Sequence, residues 1–94
     1  MKALTEAEIA SFLAKDKLWM LVEGTLVREW RFPDFLSAME FVNRVAAVAE
    51  QAGHHPDIDI RYNRVRLGLV THDAGGVTER DTSMAKRLST EFPL

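Results

Sequence analysis

Apolar positions along the chain change their period several times, and each change marks the end of an element. Ile9, Phe12 and Leu13 recur at helical spacing behind Thr5 and Glu8, whose separation is that of a capping box. A first helix is expected near residues 5–15. Leu18 to Val22 and Thr25 to Phe32 then read as two strands joined by Glu23-Gly24, a pair suited to a tight hairpin turn. In the second strand Leu26, Trp30 and Phe32 share one side. Arg28 has the same parity, so it must reach solvent or a partner.

Pro33-Asp34 opens the longest element. Phe35, Ala38, Met39, Val42, Val45, Ala46 and Ala49 step by three and four and so form one helical face, with Ser37, Glu40, Arg44 and Gln51 opposite. Phe41 and Val48 widen the stripe beyond what covering one sheet requires. Two readings follow: another helix of the same chain covers them, or they form an interface between copies. Gly53 supplies the stop signal.

Alternation returns after His54-His55-Pro56-Asp57. Ile58, Ile60 and Tyr62 share a face, Asn63-Arg64 is expected to turn the chain, and Val65, Leu67 and Leu69 mark a fourth strand with His72 near its end. Asp73-Ala74-Gly75-Gly76 reads as a flexible loop. Thr78 caps a last helix with Met84, Ala85 and Leu88 inward. The order αββαββα, with strands paired as hairpins, predicts an α+β domain spanning 1–94: a four-stranded antiparallel sheet with helices packed on one face. Trp19 and Trp30 are expected in its core.

Composition narrows the function. The formal charge is −2, with twelve Lys plus Arg against fourteen Asp plus Glu, which argues against a nucleic-acid partner gripped by a basic surface. No cysteine is present, so disulfides, zinc–thiolate sites and cysteine nucleophiles are excluded. The longest apolar run is five residues, where a spanning helix needs about 20, and the acidic N-terminus has no signal-peptide block. A cytoplasmic protein with no membrane association is expected.

The chemistry concentrates on three histidines, all at loop or strand-end positions. An isolated surface histidine is usually incidental. His54 and His55 are harder to dismiss, because Pro56 restricts His55 to extended geometry and imidazole gives and takes protons near neutrality. Adjacent side chains diverge and the i, i+4 spacing of helical metal sites is missing, so no metal site is expected. Ala74-Gly75-Gly76 lacks the lysine of a phosphate loop, and no serine has the context of a nucleophile elbow. Glu50, four residues before His54, is either a solvated carboxylate or a group that orients a histidine ring. Asp81 reads first as a helix-start acid, three residues after Thr78.

Glu50-x-x-x-His54-His55-Pro56, then Tyr62 after five residues, His72 after nine more and Asp81 after eight, resembles the pterin-4a-carbinolamine dehydratase family. The flanks agree: Trp19, Glu23-Gly24, Phe32-x-x-Phe35, Ala38, Phe41, Val45-Ala46 and Thr71-His72-x-x-x-Gly76-Val77-Thr78-x-x-Asp81. The resemblance covers residues 19–88. It implies elimination of water from 4a-hydroxytetrahydropterin to give quinonoid dihydropterin, a hydro-lyase step of tetrahydrobiopterin recycling that uses no cofactor. It further implies that His54, His55 and His72 are the catalytic histidines, His54 and His72 as proton donors and His55 holding and polarising the pterin. Gly53, Pro56, Thr71 and Asp73 then contact substrate, with Glu50 and Asp81 in support. Family members often carry Asp where Gly53 stands, so a carboxylate contact from that position is lost. The resemblance also implies a homo-oligomer, a dimer of dimers joined by sheet edges and by the long helix. A non-catalytic oligomerising or adaptor module, like the family's transcriptional-cofactor role, is the alternative.

Overall fold

The computed structural model describes residues 1–93. Its elements run α1 (Glu6–Lys15), β1 (Met20–Val22), β2 (Thr25–Arg31), α2 (Phe35–Ala52), β3 (Asp57–Arg61), β4 (Arg64–Leu69) and α3 (Glu79–Glu91), with one turn of 3-10 helix at His72–Ala74 before α3. The αββαββα order is therefore as the hydrophobic pattern predicts. The strands form one antiparallel sheet in the order β1-β2-β4-β3.

Local chemistry accounts for the boundaries. Thr5 and Glu8 form a capping box at α1, and Thr78 and Asp81 form another at α3. Asp34 caps α2, and the Ser37 N–H it accepts holds its carboxyl below the usual carboxylate range. Glu23 and Gly24 both take positive φ (49° and 79°), the conformation that matches a two-residue turn to strand twist.

The sheet's register sorts its two faces. Leu26 pairs with Leu69, Arg28 with Leu67 and Trp30 with Val65, and these face the helices. Glu29, Arg66 and Asp59 share a row on the other face, as do Arg31, Arg64 and Arg61. Arg28 resolves its parity by finding partners. Its Nη1 donates to Ser89 Oγ at 2.8 Å, and its guanidinium lies 4.2 Å from the centre of the Trp30 ring. Ser89 Oγ also accepts from Trp19 Nε1 and donates to Asp16, so that hydroxyl's one donor and two acceptor sites are all used. Burial lowers the Arg28 pKa below its ordinary value, and Asp16 opposes that.

Three expectations need correction. Tyr62-Asn63, and not Asn63-Arg64, turns the β3–β4 hairpin, and Tyr62 itself takes φ 54° while its ring lies exposed. Arg61 and Arg64 pair directly, which fixes a two-residue loop and leaves Tyr62 in its first position. The 73–76 segment is ordered: Gly75 is left-handed at the end of the 3-10 turn, and Thr71 bridges to Gly76. His72 therefore opens that turn and does not close β4. Phe41 and Val48 are buried within this one chain, at 5% and 7% exposure. Phe41 touches Trp30, Phe32 and Phe92 with ring centres 4.9–5.0 Å apart, and Phe92 follows the last turn of α3. The reading in which the same chain covers them holds. The helix instead exposes Phe35 and Leu36 at its start, and Ala46.

Phe41→Ala is expected to cost about 3–5 kcal/mol, as for a buried aromatic, measured by urea unfolding. A loss below about 1 kcal/mol would show that Phe41 is not part of the core.

Candidate functional site

The turn after α2 delivers the first two histidines. Gly53 takes φ 66° and closes the helix in a Schellman arrangement, its N–H reaching the Glu50 carbonyl and the His54 N–H reaching the Ala49 carbonyl. The left-handed position explains a glycine here: its backbone sets the direction of His54, and its carbonyl accepts from Arg80 Nη2 at 2.7 Å.

His54 points inward. Its side chain is 11% exposed, and Nε2 lies 2.5 Å from Oδ1 of Asp81, which is fully buried. The other carboxylate oxygen accepts the Thr78 N–H at 2.8 Å and the Thr71 hydroxyl at 2.7 Å. Thr71 and Thr78 hydroxyls lie 2.8 Å apart. Since Thr71 gives its proton to Asp81, Thr78 must donate to Thr71, and the chain of donors runs one way into the carboxylate. Two donors fill Oδ2 and leave Oδ1 facing His54, so a carboxylate there, which can only accept, calls for the ring proton on Nε2 and leaves Nδ1 outside this bond.

His55 sits on the surface, with Nε2 2.8 Å from Glu50 Oε1. Both side chains are exposed, so Glu50 is solvated and also orients a ring. His72 is exposed at the first position of the 3-10 turn, directly after Thr71, whose backbone is fixed by bonds to Ala74 and Gly76. Of the three histidines His54 alone bonds to the Asp81 network; His55 bonds to Glu50, and His72 is next in the chain to Thr71. Pro56 is half-buried ahead of β3, and Asp73 is exposed beside His72.

Thr71 departs from the substrate contact expected of it. Its side chain is buried and its hydroxyl is engaged by Asp81 and Thr78. Thr78 and Arg80 belong to the site's framework although the sequence singled out Thr78 only as a cap. Its spacing to Asp81 was the available signal; nothing in the sequence links Asp81 to His54, 27 positions earlier. Among the described residues no group of three or more His, Asp or Glu could hold a metal ion, and no helix is long and apolar enough to cross a membrane.

Fold and site together define an α+β domain with a histidine–carboxylate centre built where the end of α2 meets the start of α3. The family model for pterin 4 alpha carbinolamine dehydratase matches residues 2–90. A provisionally named pterin-4-alpha-carbinolamine dehydratase of Chloroflexus aurantiacus is 58% identical over 85 residues, covering 90% of this chain and 91% of its own. One from Thermomicrobium roseum, provisionally named in the same way, is 54% identical over 95% of this chain and 96% of its own. The crystal structure of a transcriptional coactivator/pterin dehydratase from Brucella melitensis superposes with TM-score 0.88 at 36% identity, over 95% of this chain and 97% of that one. A pterin dehydratase-like RuBisCO assembly factor of the alpha-carboxysome, at TM-score 0.61 and 22% identity over 77% of this chain and 83% of that one, shares the fold. The chain belongs to the pterin-4-alpha-carbinolamine dehydratase family.

Nitrogen-15 NMR should find neutral His54 in the Nε2–H form. Asp81→Ala should lose that bias and cost about 1–3 kcal/mol or more, since buried donors lose their acceptor. Neutral His54 carrying its proton on Nδ1 would overturn the donor pattern.

Proposed function

We propose that this chain, as one dehydratase domain acting in the cytoplasm, eliminates water from a 4a-hydroxytetrahydropterin to give the quinonoid dihydropterin. The observation that carries the reading is the His54–Asp81 pair, a histidine held in one tautomer by a buried carboxylate at the position where the family's first histidine falls.

The reaction breaks the C4a–O bond, removes the proton from N5 and forms the C4a=N5 double bond. Hydroxide is a poor leaving group, so a proton must reach that oxygen as it departs, and a base must take the N5 proton. The two transfers balance, and no electrons leave the substrate. His54 and His72 carry the protons: the protonated ring gives to the hydroxyl and the neutral one receives from N5. A cycle through His54 Nδ1 leaves its bond to Asp81 intact throughout, so the ring keeps its aim. His55, tethered by Glu50, holds and polarises the pterin, with Pro56 and Asp73 at its edge. Thr71 and Asp81 act as positioning residues, and Gly53 through its turn. Positioned acid–base groups contribute about 10²–10⁴-fold each.

The dehydration rate of synthetic 4a-hydroxytetrahydropterin tests this. Wild type should exceed the spontaneous rate, and His54→Ala or His72→Ala should each remove about 10²-fold or more. The profile should peak between about pH 5 and 8, where imidazoles as a class titrate. A wild-type rate equal to the spontaneous one would favour the non-catalytic adaptor reading, which draws support from the coactivator in the Brucella protein's name.

The proposal extends to a homo-oligomer, a dimer of dimers. β1 and β3 are both edge strands, and Met20 and Leu21 of β1 lie exposed, as does Leu18 just before it. With Phe41 and Val48 inside, a contact through α2 would fall on Phe35 and Leu36. Sedimentation at micromolar concentration should give a dimer or tetramer; a stable monomer ends the idea.

A further inference from the structure

Arg80, Ser83 and Arg87 recur in steps of three and four and share one face of α3. With Met1, Ala52 and Met84 they line a cleft of 420 Å³ that His54 also lines. Its volume is in the range of small-molecule sites. Neither His55 nor His72 lines it, so the cleft leads from His54 in a direction the proposed chemistry leaves unused.

Both arginines reach from α3 to the end of α2. Arg80 Nη2 donates to the Gly53 carbonyl, and Arg87 Nη2 donates to Gln51 Oε1 at 2.8 Å while its Nε meets Glu91 at 2.7 Å. Part of their role is structural, because α2 has no basic residue in its own last turn and these cations answer the negative end of its dipole. That role leaves donors over. A guanidinium carries five N–H groups, and among the described residues Arg80 uses one and Arg87 two. The result is a pair of anchored guanidinium forks, on residues that line the cleft, with donors left for a ligand.

Glu79 lines the same cleft and would repel a bare anion. Together with the Ser83 hydroxyl it suits alcohol groups, which can donate to the carboxylate. The arginines suit an oxyanion, which accepts two parallel bonds from one fork. A ligand that carries both hydroxyls and an oxyanion suits both kinds of group.

We infer that the cleft takes the C6 side chain of a pterin whose ring lies at His54, and that Arg80 and Arg87 select a hydroxylated side chain ending in a phosphate ester or carboxylate. The inference rests on the dehydratase reading for the ring's placement, and assigns the substrate class that reading leaves open.

Oxidised, fluorescent pterins that bind without reacting provide the test. Three are compared: one with a free-hydroxyl side chain, the same pterin as its phosphate monoester, and one ending in a carboxylate. Wild type should bind an anionic form about tenfold or more tighter than the free-hydroxyl form. Whichever of the ester and the carboxylate binds tighter identifies the end group. The preference should fall below about threefold in Arg87→Gln. Arg80→Lys, which keeps the charge at the end of α2 but removes the fork, should lower it as well, and thermal melting checks that both variants fold. Equal binding of all three pterins by wild type, or an undiminished preference in folded Arg87→Gln, overturns the inference. Dehydration without side-chain preference defeats this inference alone, whereas Arg87-dependent preference without dehydration defeats the dehydratase reading alone.

Discussion

Asp81 brings a negative charge into a position with no exposed surface, and a buried charge is tolerated only when its oxygens are filled by donors. The Thr78 N–H, the Thr71 hydroxyl and His54 meet that requirement, and each comes from a different piece of chain. Thr71 lies at the end of the β4 connection, Thr78 starts α3, and His54 follows α2. One carboxylate therefore ties three segments together. The same bonds that make its burial tolerable hold the His54 ring in a single tautomer. Stability and aim have one cause here, so the site cannot loosen without exposing the charge that organises it.

Legibility in the sequence followed interaction range. The capping boxes at Thr5/Glu8 and Thr78/Asp81, the Glu23-Gly24 turn and the Gly53 stop depend on residues within a few positions, and all were readable. The α+β order and the inward residues of β2 and β4 were readable too, because a period of two fixes a face. Tyr62 was misplaced because hairpin register is decided by the pairing of Arg61 with Arg64, not by which turn residue better tolerates positive φ. Phe41 left two readings because one ring that covers it, Phe92, arrives from the far end of the chain.

The same distinction divides the candidate site. Its residue types and their spacing carried the family resemblance, and Glu50, four residues before His54, could be read as orienting a histidine ring, although the ring it meets is that of His55. The pairing of His54 with Asp81 spans 27 positions, and no local pattern encodes which acid meets which histidine. Thr71 illustrates the consequence. From its place beside His72 it reads as a substrate contact, but the demand of a buried carboxylate for donors turns it inward.

Arg28 shows how the scaffold meets a second buried charge by other means. It must face inward because its neighbours Leu26 and Trp30 do, and the sheet cannot rotate one residue alone. Ser89, Asp16 and the Trp30 face receive it, linking β2 to α3 and to the end of α1. This second network lies on the part of α3 remote from His54, so α3 is pinned at both ends by polar contacts while Met84, Ala85 and Leu88 pack between them. A helix held in this way presents Arg80, Ser83 and Arg87 at fixed heights along one wall. The fold alone does not specify a function, so a function has to be read from the site. What the site adds to that scaffold is a histidine whose Nε2 faces a buried carboxylate while its Nδ1 takes no part in that bond.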